Sequence, residues 1–251
     1  MPDVRHLRSK LDPDLTAGTA EFRRASYSVR VLEGPAGPSA EDFKPLLRGV
    51  LHQCAFFLSL VVGAVLVATA SSDLARWSGL VFAASVTAMF GASALYHRGT
   101  WEPRRRQWLR RLDHAMIFLL IAGTYTPVGL MILSGPWQVV VLTVVWAGAA
   151  LAIAIRLLWT DGPRWIAVAI AIALGWVAVL VLPQLLRGIE PAGVVLLLTG
   201  GLLYTLGSLV YARKRPDPLP AVYGFHEVFH TLVIAAAACQ YAAIAFFVLS
   251  D

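Results

Sequence analysis

The sequence predicts an all-α protein, a bundle of seven transmembrane helices with its N-terminus in the cytoplasm and its C-terminus outside. Three observations carry this prediction. Hydrophobic residues make up 58% of the 251 and charged residues only 14%, whereas an ordinary soluble domain is about half apolar and about a quarter charged. With a mean hydropathy of +0.68, that balance excludes a disordered chain and argues against a water-soluble globule. The apolar residues gather in seven runs, each long enough for a hydrocarbon core that takes roughly 20 residues of helix. The basic residues fall almost wholly on one side of those runs.

In chain order, residues 1–45 alternate charges with Gly, Pro, Ala and Ser, and Glu33-Gly34-Pro35-Ala36-Gly37-Pro38-Ser39 reads as a linker. This stretch is expected to be a flexible tail along the membrane, with a short amphipathic helix around Ala20–Val31 as the alternative. Residues 46–251 form the membrane domain. Its runs are Val50–Ala70, Trp77–His97, Asp113–Leu133, Trp137–Trp159, Trp165–Pro183, Ala192–Ala212 and Phe225–Leu249. A helix satisfies its own backbone inside lipid, so each run is read as one helix. The first run, behind a charged tail, reads as an uncleaved start-transfer helix. Tyr125-Thr126-Pro127 is the one clear mid-span break expected, which argues against the matched broken helices of an inverted-repeat transporter. Trp77, Trp137, Trp159 and Trp165 stand at run ends as interface anchors. Cys54 and Cys239 both lie inside runs and are expected to be buried thiols.

Orientation follows from the Lys and Arg residues. The tail through Arg48 holds eight, Arg98–Arg111 six, Arg156 and Arg164 two, and Arg213–Arg215 three, all on one side. Arg76 and Arg187 are alone on the other. The positive-inside rule puts the richer side in the cytoplasm. The net charge of +6 is therefore a topology signal, and no nucleic-acid partner is expected.

Polar residues in spans are costly and need a reason. His52, His97, His114, His226 and His230 all sit at the inner ends of runs, and Asp113 joins them there. His226 and His230 are i and i+4, on one helical face and roughly 6 Å apart, a separation at which two imidazoles bind one metal. Ser93 and His97 share that spacing on the second run. A third histidine from there would leave one position of a tetrahedral zinc open to water, with Asp113 and Ser93 at hand to orient or deprotonate it. Plainer readings stand beside this one. A lone His-x-x-x-His is weak evidence, interfacial histidines hydrogen-bond to headgroups, and Asp113 can favour a helix N-terminus or pair with an arginine of Arg104–Arg111. That arginine cluster itself reads as a loop facing lipid phosphates.

Ser93-Ala94-Leu95-Tyr96-His97, Leu112-Asp113-His114-Ala115, Ala122-Gly123-Thr124-Tyr125-Thr126-Pro127 and His226-Glu227-Val228-Phe229-His230 together resemble the hemolysin III family. That family belongs to the progestin and adipoQ receptor group of seven-helix proteins. The resemblance runs from about Lys44 to the C-terminus. The lead-in Lys44-Pro45-Leu46-Leu47-Arg48-Gly49 with His52 departs from the acidic-plus-asparagine pattern of many relatives. The resemblance implies a cytoplasmic-side zinc held by His97, His226 and His230, with Ser93 and Asp113 as the catalytic pair. It implies an integral protein of a bacterial cytoplasmic membrane, with membrane lipid as solvent and substrate of an amide or ester hydrolase. A receptor or sensor with structural zinc is the alternative, and a membrane-lysing pore former ranks behind it for want of charges in the middles of the spans. No lysine lies in the seventh run, which excludes a retinal Schiff base there.

Overall fold

The computed structural model describes residues 44–159 and 163–249; residues 1–43 of the predicted N-terminal tail lie outside them, as do the final two residues. Seven helices long and apolar enough to span a membrane run through the described residues. They are α1 (Val50–Ala68), α2 (Asp73–Arg98), α3 (Pro103–Met131), α4 (Pro136–Leu158), α5 (Trp165–Gly188), α6 (Pro191–Arg213) and α7 (Phe225–Val248). No strand occurs among these residues beyond an isolated bridge between Leu219 and Tyr223. The chain is an integral membrane protein with the all-α fold expected.

Each helix lies beside its chain neighbour, and α7 returns to pack against α1, which closes the ring. The small buried stripe of α1 shows how such packing is specified. His52, Ala55, Ser59, Gly63 and Leu66 recur every three or four residues and turn inward. Cys54 falls off that stripe and is exposed, while Cys239 is half-buried, so the expectation of two buried thiols is corrected. Without a hydrophobic force between helices in lipid, close contact relies on small residues. Gly123 of α3 is one: a Cβ there would overlap Ser85 of α2.

Boundaries moved where capping chemistry outranks hydropathy. α2 starts ahead of Trp77, because the Ser72 hydroxyl accepts the Ala75 N–H at 3.2 Å and Asp73 occupies the first turn. α3 starts at Pro103, which suits a first helical position, so Arg104–Arg111 is helix and not the loop expected.

The expected break at Tyr125-Thr126-Pro127 is not a break; α3 continues through it. Pro127 forfeits one backbone bond. Around it the Thr124 and Thr126 hydroxyls bond the carbonyls of Leu120 and Ala122 at 2.8 and 2.9 Å, which supports the same turns. The interruption lies in α5 instead, where Trp176–Val181 is a 3-10 turn between two α-helical stretches. Tyr125 answers for the freed backbone: its hydroxyl donates to the Gly175 carbonyl and accepts the Ala178 N–H, both at 2.8 Å. Pro183 then opens the second stretch rather than ending the span.

Candidate metal centre

The N-terminal turns of α1 and α7, the last two turns of α2 and the fourth turn of α3 meet at one end of the ring. His97, in the last turn of α2, and His226, in the first turn of α7, bring their Nε2 atoms to 3.1 Å. His230 lies one turn further along α7, its ring centred 5.2 Å from that of His97 and 4.5 Å from that of His226. One ligand nitrogen from each of the three lies within 4.8 Å of the others. Two nitrogens bound to a tetrahedral zinc at about 2.0–2.1 Å stand about 3.3 Å apart, so little movement would gather all three around one ion. His230 Nδ1 is buried with no hydrogen-bond partner, a state that normally calls for a ligand or water. These three residues form a group that could hold a metal ion.

Asp113 and Ser93 stand beside this group. An Asp113 oxygen is 3.8 Å from His97 Nε2. Asp113 lies ten residues into α3, so the helix-start reading does not apply to it, and no arginine pairs with it among the described residues. Ser93 Oγ is 2.8 Å from His52 Nδ1, and its hydroxyl neighbours the Asp113 carboxylate.

His52 was legible in the sequence only by depth. Its ring stacks on His230 with centroids 3.7 Å apart and meets Phe90 edge-on at 5.1 Å. Beneath it Ala55, Met89, Phe90, Leu120, Val233 and Ala237 form an apolar floor.

Glu227 was missed as a site residue. It lies between the two α7 histidines and is fully buried, a position that demands compensation. Arg48 supplies it: its Nε is 2.5 Å from one Glu227 oxygen, and the other accepts the Gly224 N–H at 2.9 Å. The Leu46 and Leu47 amides bond to the carbonyls of Ala221 and Val222 at 3.0 and 3.1 Å. The lead-in to α1 is thereby tied to the loop before α7. Lys44, at the rim, donates weakly to the Gly99 carbonyl at 3.4 Å. Its ammonium is pulled below the usual lysine range by partial desolvation, then by the Arg106 and Arg48 charges.

A cavity of about 160 Å³ opens from this end into the ring. Its polar mouth includes Ser93, Asp113, His226 and His230, and its depth is lined by apolar residues such as Phe118, Ile121, Ile172 and Val233. His114 lies on this wall as well, bonded to Tyr211 and Arg156 and not to the three histidines.

The profile of the family described as "Haemolysin-III related" matches residues 41–241. Two relatives match over most of the chain. The hemolysin-3 homolog of Bacillus subtilis (strain 168) is 25% identical over 205 residues, covering 80% of this chain and 93% of that protein. The hemolysin-3 of Bacillus cereus is 29% identical over 169 residues, covering 67% of this chain and 74% of that protein.

Proposed function

This chain belongs to the haemolysin-III-related family, and on that footing we propose that it is a zinc-dependent hydrolase of a lipid amide or ester. Its histidine end would face the cytoplasm of a bacterial cytoplasmic membrane, as the one-sided basic residues suggest. One observation carries the reading: three histidines from two helices converge within 4.8 Å beside Asp113 and Ser93, at the mouth of an apolar cavity. An all-imidazole set with room for a fourth ligand suits zinc. Held by His97, His226 and His230, that ion would supply Lewis acidity toward a carbonyl oxygen and acidify water.

The remaining steps belong to the protein. The cavity takes the hydrocarbon chain and excludes bulk water, which leaves the scissile carbonyl at the mouth. Asp113 accepts the proton of the attacking water as its oxygen adds to the carbonyl carbon. The C–N or C–O bond then breaks, and the proton held by Asp113 passes to the departing amine or alkoxide. Ser93, oriented by its bond to His52 Nδ1, donates to or holds the oxygen nearby.

The test is metal analysis of the purified protein with three variants. The parent is expected to carry about one zinc per chain, and H97A or H226A/H230A to lose it. D113N should keep the zinc and lose lipid turnover by about a hundredfold or more. A parent without zinc, or unchanged turnover in D113N, rejects the proposal. If H97A loses zinc and thermal stability while no parent hydrolysis can be measured, the metal is structural and the receptor-like reading takes its place. Ion flux in liposomes at low protein density would instead favour a pore.

A further inference from the structure

Two consecutive residues ahead of α1 touch both of the helices that carry the three histidines. Arg48 pairs with Glu227, which lies between His226 and His230 on α7. Gly49 packs on His97 at the end of α2, where a Cβ on the glycine would stand 2.6 Å from His97 Cβ. Gly49 also has a φ of +78°, a left-handed backbone that other residues rarely adopt. Glycine alone meets both conditions. The remainder of the lead-in divides in the same way. Its Leu46 and Leu47 amides bond the loop before α7, and Asp217 Oδ1 fixes that loop to the first helical turn by accepting the Phe225 N–H at 2.7 Å. Toward α2, Lys44 donates to the Gly99 carbonyl, and Arg98 Nε donates back to Gln53 Oε1 of α1 at 3.0 Å.

In the ring α1 comes between α2 and α7, so the three histidines join helices that are not consecutive. A metal tolerates errors of only about 0.2 Å in its ligand distances. How the two helix ends are held therefore decides whether the three nitrogens converge on one ion. The lead-in grips both ends, and it does so at the rim: Leu46 is 73% exposed and the Arg48 side chain 23%. A short segment in such a place opens locally at far less cost than global unfolding. An ion that fixes the helix ends favours the closed segment, and by linkage the closed segment favours the ion by the same factor.

We propose that residues 44–49 are a clasp coupled to the metal centre: the ion holds the clasp shut, and the shut clasp retains the ion. Arg48 and Gly49 are its positioning residues. Gly49 backs His97 and Arg48 secures the α7 pair, so the two sides of the ligand set are gauged against each other by one short stretch of backbone. Release of the clasp lets the α2 and α7 ends drift apart and frees the ion. The proposal rests on the reading of the three histidines as metal ligands and is independent of the reaction performed there.

The full chain in nanodiscs is followed by amide hydrogen exchange, loaded with zinc and after chelation, and zinc affinity is measured for the parent, L46P and G49A. In the parent, zinc should slow exchange at the Leu46 and Leu47 amides about tenfold or more. Exchange in α4, which carries none of the three histidines, should stay as it was. L46P removes one clasp bond and little else. Leu46 is the first inner position of the turn that the Arg48 N–H closes on the Pro45 carbonyl at 3.0 Å, a place that suits proline. L46P should bind zinc about threefold or more weaker, as the loss of one hydrogen bond allows. G49A, which presses on His97 and opposes the left-handed turn, should lose about tenfold or more. With G49A unable to fold, L46P and the parent's exchange decide the matter. A parent that binds zinc while Leu46 and Leu47 exchange alike in both states overturns the clasp and leaves the metal centre standing. Slowing of equal size in α4 gives the effect to global stabilisation and overturns it too, as does undiminished zinc affinity in both variants. A parent that binds no zinc overturns the clasp and the metal centre together.

Discussion

At the scale of the residue, the site depends on how its polar groups are held as much as on which groups they are. His226 and His230 start α7, where a helix end would fray without support. Glu227 between them is anchored by Arg48 and by the Gly224 amide; its carboxylate is fully buried, while the Arg48 side chain stays partly exposed. Removing one partner of such a pair leaves an uncompensated charge, and costs about 3–5 kcal/mol. E227A and R48A are each expected to lower the melting temperature in detergent and to weaken metal retention, because the α7 histidines lose their tether. The swapped pair R48E/E227R should recover part of both losses. Recovery of neither would mean that the two side chains act separately. The i, i+4 histidine pair was legible from spacing alone, as was the depth shared by Ser93, His97 and Asp113. Glu227 was not, since a carboxylate near a span end looks the same in sequence whether it faces headgroups or a half-buried guanidinium 179 positions away.

At the scale of the element, helix ends and interruptions were the weak point of hydropathy. The ten residues added to the start of α3 are arginine-rich and apolar-poor, yet Pro103 and the absence of any later breaker before Pro127 let the helix run through them. The misplaced break has a similar cause. A proline in sequence signals a lost hydrogen bond, but neighbouring hydroxyls at Thr124 and Thr126 support the helix there. The actual 3-10 turn in α5 has no proline within it and is stabilised from another helix, by Tyr125. Y125F removes both bonds of that hydroxyl and leaves two backbone groups inside the span without their partner, at about 1–3 kcal/mol each. The expected outcome is a lower melting temperature together with faster hydrogen exchange at residues 176–181 and unchanged exchange in α1 and α2. Uniform exchange across all helices would show that the tyrosine does not brace this turn specifically.

At the scale of the whole molecule, the ring of seven helices and its orientation are separate questions. The topology that the basic residues predict has a direct test: a C-terminal alkaline phosphatase fusion should be active outside the cytoplasm, and an N-terminal fluorescent protein should fold inside it. An inactive C-terminal phosphatase would reverse the assignment and move the histidine end to the other face. Membrane residence and helix number could be read from the chain because they depend on local quantities, the apolar length of each run and the helix's need to satisfy its own backbone in lipid. The histidines' common depth could be read for the same reason, since each lies at a known end of a known run. Which of them meet could not. His97 and His226 are 129 positions apart, and Arg156, His114 and Tyr211 come from three helices. Their distances depend on the order and rotation of the helices around the ring. That arrangement is selected by packing between small residues such as Gly123 against Ser85; a periodic stripe of small residues marks the face of a helix that packs, and leaves open which helix it meets.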